Sequence, residues 1–165
     1  MTNEEAFEVA KTVYTQFYAY VKEVIEEFGM EPALKLLTKT NVASGLELGK
    51  QIKEQSGGEK FMVQNTARKV IEIAKGIGGI DIIVEDTPEK VVTNTACDKC
   101  PNYAAAHAAG MDNETIKAMC LAGSLQFFDT LVKQLNPDLS YQSKKFRSGT
   151  DDFCLEQTVL TTTQN

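Results

Sequence analysis

Two cysteines flank an Asp-Lys pair in the stretch "ACDKCPNYAAAHAAG", residues 96–110, and the chain's single histidine, His107, follows them. The Cys97-x-x-Cys100 spacing serves three chemistries. The turn between the thiols can aim both at one metal ion. It can carry a redox pair where a strand precedes and a helix follows. Or the two can pack as small apolar side chains. Cys120 falls on the apolar side of a helical stretch and Cys154 in a strand-like one. Together Cys97, Cys100, Cys120 and Cys154 suit a tetrahedral zinc or iron site, in which Glu156 or His107 could replace one sulfur. The gaps after Cys100 are not those of a zinc ribbon, which repeats the Cys-x-x-Cys pair. His107 is the one imidazole available for proton transfer near neutral pH. It follows Cys100 by a short helical step, which leaves a Cys–His nucleophile pair open.

A second polar group lies in "SYQSKKFRSGTDD", residues 140–152. Strand alternation puts Lys145 and Arg147 on one face, where they could hold a substrate carboxylate or line the solvated side of an edge strand. Asp151 and Asp152 are turn residues first, and Asp152 is a candidate proton carrier. Along the last strand Phe153, Leu155 and Val159 share one face and Cys154, Glu156 and Thr158 the other. Cys154 is therefore expected opposite the more hydrophobic face.

Hydrophobic periodicity supplies the elements that must position these groups. Residues 3–28 form one amphipathic helix, with Phe7, Ala10, Tyr14, Phe17, Val21, Ile25 and Phe28 at three- and four-residue steps, ended by Gly29. A second helix runs from Glu31 to Gln55, weakened near "NVASG", and a third spans 61–75. After "GIGG" the period changes to two: "IDIIVED" and "KVVTNTA" read as a hairpin about Pro88. A short helix over 102–109 and a long one from Asn113 to Leu135 follow, the latter capped by Asp112 or Asn113. Strands at 139–147 and 153–160 flank "SGTDD", and the tail at 161–165 is expected to fray. The order ααα–ββ–αα–ββ predicts an α+β fold, with helices packed on a largely antiparallel four-stranded sheet built from two hairpins.

The 165 residues suit a single domain, with a helical part over 1–76 and a ββααββ part over 77–161. A net charge of −6 argues against a general nucleic-acid binder. The apolar runs are too short to cross a membrane, and the N-terminus lacks the pattern of a signal peptide. These features predict a cytoplasmic protein, whose cysteines stay reduced or bind metal. Tyr14, Phe17, Tyr18 and Tyr20 spread beyond one stripe of the first helix, which suggests a homodimer.

Read together, Cys100-Pro101, Gly110, Cys120, Asn136-Pro137 and Gly149 with Asp152 and Cys154 resemble the L-2-amino-thiazoline-4-carboxylic acid hydrolase-like family over residues 90–160. Cys97 is additional to that pattern, and Glu156 stands where an aromatic residue is expected. More distantly, the chain is similar to vinyl-reductase-type ligand-sensing domains. The first resemblance implies hydrolysis at a C–N bond of a thiazoline-like heterocycle. Cys100 would be the nucleophile, or a metal would activate water. His107 or Asp152 would move protons, and Lys145 or Arg147 would hold the substrate carboxylate. The second implies a non-catalytic sensor of a small ligand, with a structural metal on the cysteines.

Overall fold

The computed structural model describes residues 1–161, with Cys97 described by its backbone alone, so the frayed tail expected at 161–165 lies outside it beyond Thr161. Helix α1 spans Asn3–Phe28. Thr2 and Glu5 form a reciprocal cap: the Glu5 amide donates to Thr2 Oγ1 at 3.2 Å and the Thr2 amide to Glu5 Oε2 at 2.7 Å. Gly29, at φ +88°, ends α1 in a backbone conformation that side chains disfavour. Helix α2, Met30–Gln55, follows at once. It runs unbroken through "NVASG". Gly45, at the stretch expected to loosen it, instead faces the backbone of a later helix, as does Gly49 one turn on.

Helix α3 is Val63–Gly76. Strands β1 (Ile82–Asp86) and β2 (Lys90–Ala96) form the first hairpin, and one 3₁₀ turn at Cys97–Lys99 leads to α4, Pro101–Ala108. The single helix expected over 113–135 is two, α5 (Asn113–Ala122) and α6 (Ser124–Leu135), with Asp112 capping the first. The break falls at Gly123. A Cβ there would stand 2.9 Å from the Met119 carbonyl oxygen and 3.3 Å from the Leu37 side chain, so the chain turns where no side chain fits.

Strands β3 (Leu139–Lys145) and β4 (Phe153–Leu160) complete an antiparallel sheet of order β1-β2-β4-β3 with helices packed on it, the predicted α+β architecture. Register sets the faces. Thr95 pairs with Cys154, Thr93 with Glu156 and Val91 with Thr158, and Tyr141 also pairs with Thr158. Val91, Thr93, Thr95, Tyr141, Cys154 and Thr158 are all buried. The expectation for β4 is thus reversed: Cys154, Glu156 and Thr158 face the helices, while Phe153, Leu155 and Val159 lie on the face away from them. Strand β3 also stops at Lys145 rather than 147.

Two apolar clusters make the core. One joins α3, α6 and the sheet through Val63, Val70, Val91, Leu131, Val132 and Leu139. The other joins α1, α4 and α5 through Tyr18, Val21, Tyr103, Ala105, Ile116 and Met119. Among the described residues no helix is long and apolar enough to cross a membrane.

Candidate active-site chamber

The sheet's helix-facing side and the two clusters do not close on one another completely. Between them lies a cavity of about 90 Å³ whose walls include Cys100, Cys120 and Cys154, with Asp81, Tyr141, Arg147 and Glu156. Cys100 precedes Pro101 at the start of α4. Cys120 comes from the last turn of α5, and Cys154 and Glu156 alternate inward from β4. Three of the four cysteines singled out in the sequence therefore reach one chamber, and all three are free thiols. The side chain of Cys97, the fourth, lies outside the described residues.

Arg147 is the group that sequence alternation misassigned. A bulge between Ser143 and Lys145 shifts the register of β3, so Lys145 pairs with Leu155 on the open face. There its ammonium meets Asp152 and sits 3.6 Å from the centre of the Phe153 ring. Arg147, beyond the strand end, turns the other way and is 1% exposed. Its Nε donates to Cys154 Sγ at 3.2 Å and an Nη to the Thr95 carbonyl at 3.0 Å. The Tyr103 ring stacks under the guanidinium at 4.4 Å. Tyr103 in turn donates to Asn113 Oδ1, and Asn113 Nδ2 donates to the Arg147 carbonyl, which fixes both ends of the residue.

Two acids share the chamber. Burial pushes the Glu156 carboxyl above its ordinary value, while the hydrogen bond from Tyr141 works against the rise. The Tyr141 hydroxyl donates to Glu156 Oε2 at 2.6 Å, and burial holds that phenol well above its usual range. Asp81 is also raised by burial and accepts from the Thr95 hydroxyl. Burial likewise pushes the Cys100 thiol up to about 12 and Cys120 well above its normal value, so both are neutral thiols at physiological pH.

These states bear on the expected roles. A neutral Cys100 is a poor nucleophile, since the thiolate is the reactive form. Cys154 differs in its partner: the Arg147 guanidinium donates to its sulfur at 3.2 Å, which fixes where that sulfur points in the chamber. Among the described residues, no three His, Cys, Asp or Glu side chains group as a metal site would require.

His107 is exposed on α4, its ring stacked on Tyr103 at 6.4 Å, and it lines no part of the chamber. Asp152 is likewise outside. It accepts from the Ser148 amide at 2.9 Å and from Lys145, and these bonds hold its carboxyl well below the usual range. It closes the 148–152 turn. The sequence reading missed Asp81 and Tyr141. Asp81 had a signal, a lone carboxylate inside the apolar run "GIDIIV". Tyr141 becomes visible only once the register pairs its strand with Glu156's.

Above the chamber lies a second, mostly apolar cleft of about 500 Å³, walled by α1, α2 and α6 through Val13, Phe17, Leu37 and Phe127. The two spaces adjoin at Ile77, Asn102, Ser124 and Phe128. Compared with family models, curated proteins and solved structures, the chain matches none.

Proposed function

We propose that the protein is a small cytoplasmic hydrolase that opens a C–N bond of a carboxylate-bearing cyclic amidine, with the chamber as its site. One observation carries the reading: a buried arginine donates to a cysteine sulfur in a cavity that also holds a buried acid, Glu156. Cys154 would add to the carbon between the ring heteroatoms, its thiol proton passing to Glu156. Glu156 would hand that proton to the ring nitrogen. The exocyclic amino group would then form C=N and give its own proton to that nitrogen as the ring C–N bond breaks, the bond's electron pair staying on the ring nitrogen. Water would then add to the same carbon, lose a proton to Glu156 and expel the Cys154 sulfur, which recovers its proton. An acid raised by burial stands closer to the working pH than an ordinary carboxyl, which suits transfer in both directions. Arg147 and Lys99 supply the positive charge in the chamber walls that a substrate carboxylate needs. The resemblance of residues 90–160 to the thiazoline hydrolase-like family points to the same substrate class. The active form would be a homodimer paired along α1.

The adjoining apolar cleft favours a second reading, a non-catalytic domain that binds a small ligand. One experiment separates them. The purified chain is incubated with L-2-amino-thiazoline-4-carboxylate, and S-carbamoyl-cysteine, the product of ring C–N cleavage, is followed by fragment-ion mass spectrometry. Turnover that falls at least about a hundredfold in Cys154→Ala and in Glu156→Gln is expected. Binding without turnover would overturn the hydrolase and leave the sensor.

A further inference from the structure

The chamber and the cleft differ in size and in charge. At about 90 Å³ and lined by Arg147, Lys99, Glu156 and Asp81, the chamber admits little beyond a polar head group. At about 500 Å³ the cleft falls in the range of small-molecule sites. It opens beneath α1 between Val13 and Phe17, which are 60% and 42% exposed. A compact heterocycle seated against Cys154 would leave this apolar space filled only with water, which costs the binding that apolar contact would otherwise give.

We infer that the ligand is an amphiphile: a small anionic head in the chamber beside Arg147, carrying an apolar chain or ring that lies in the cleft under α1. The inference rests on the chamber being the ligand site, and it widens the substrate class from bare thiazoline acids to ones bearing an apolar substituent. Charge is confined to one end. Arg147, Lys99, Glu156 and Asp81 line the chamber, whereas the cleft beyond Asn102 and Ser124 is lined by apolar residues and by the uncharged Asn41 and Ser44. That separation fixes which end of an amphiphile enters first.

The test is calorimetric titration of the full chain with straight-chain carboxylates from propanoate to decanoate, all below their micelle concentrations. Each added methylene buried in the cleft should tighten binding about fourfold until the cleft is full. Val13→Asp sits at an exposed position and puts charge on the cleft wall, so it should remove most of that gain. Ser44→Phe, also exposed, should make the gain stop at a shorter chain. An affinity that does not change with chain length overturns the inference, as does a gain that survives both variants, or no binding of any acid. Turnover of the bare thiazoline acid with a flat chain-length series would sink the amphiphile and spare the hydrolase. A rising series without turnover would do the reverse.

Discussion

Glu156 is held above its ordinary value of 4.5 chiefly by burial, with Asp81 nearby raising it further and Tyr141 and Arg147 opposing. In the unfolded chain that carboxyl returns to its ordinary value. Between the two values the folded state holds the proton more tightly, so stability falls as pH rises through that window and is lowest above the raised value. Asp81, raised in the same way, adds to the same slope. Glu156→Gln keeps an oxygen to accept from Tyr141 and removes the titration. Its urea midpoint should therefore gain on the wild type as pH rises above the ordinary value of 4.5. Parallel pH profiles for the two proteins would mean that Glu156 is not held above its ordinary value by burial. The chemistry of this position was half legible in the sequence. Alternation correctly put Cys154 and Glu156 on one face, but the neighbouring Phe153, Leu155 and Val159 made the opposite face look like the core. The helices cover the less apolar side of β4 because Val91, Leu139 and Tyr141, from the strands around it, supply the missing hydrophobicity.

Helices α2 and α6 show how an element's composition can mislead when its partner is unknown. Local propensity predicts a weak spot at Gly45, since glycine costs roughly 1 kcal/mol in a helix interior. The helix is nevertheless continuous, and the glycines mark where α6 comes close. A Cβ on Gly45 would lie 2.4 Å from the Phe127 carbonyl oxygen, and one on Gly49 2.8 Å from Gln134 Cβ. Gly45→Ala should thus lower stability by about 1–3 kcal/mol despite the better propensity of alanine, because backbone must move to admit the methyl. Gly76, near the end of α3, has no heavy atom within 4 Å of such a Cβ. Gly76→Ala should be neutral or stabilising by up to about 1 kcal/mol. Urea denaturation of the pair decides the matter: equal effects would mean that the α2–α6 contact is looser than described. The break between α5 and α6 was hidden for a related reason. "LAGSLQFF" keeps helical periodicity through Gly123, and only the approach of Leu37 from α2 shows why the chain turns there.

At the scale of the molecule, the element order and the two hairpins were legible because the period changes cleanly from 3.6 to 2 after "GIGG". The chamber was not, since it is made by register, a bulge and the meeting of two cores. What the fold leaves uncovered decides how copies would pair. Two apolar surfaces are candidates: the outer stripe of α1, with Val9, Tyr20 and Phe28 57–67% exposed, and the β1 edge with Ile82 and Val84. The edge carries a bulge between Ile83 and Glu85 and ends in Glu85 and Asp86, features that oppose strand-to-strand pairing. On α1 the carboxylates Glu23, Glu26 and Glu27 gather around Tyr20 and Phe28, and the stripe from Val9 to Phe17 lies beyond them. Tyr18 and Val21 turn inward against α4, and Val9, Val13, Phe17 and Tyr20 repeat along the solvent side at helical spacing. Pairing along α1 would also cover the mouth of the cleft, since Val13 and Phe17 belong to both. Sedimentation velocity should then give twice the chain mass of 18.2 kDa for the wild type, and the single mass for Val9→Glu combined with Tyr20→Glu. Neither substituted residue lines the cleft, so loss of carboxylate binding in the monomeric variant would tie ligand affinity to the pairing itself. A wild-type monomer at the concentrations of the titrations would remove the dimer and leave the cleft open to solvent beneath α1.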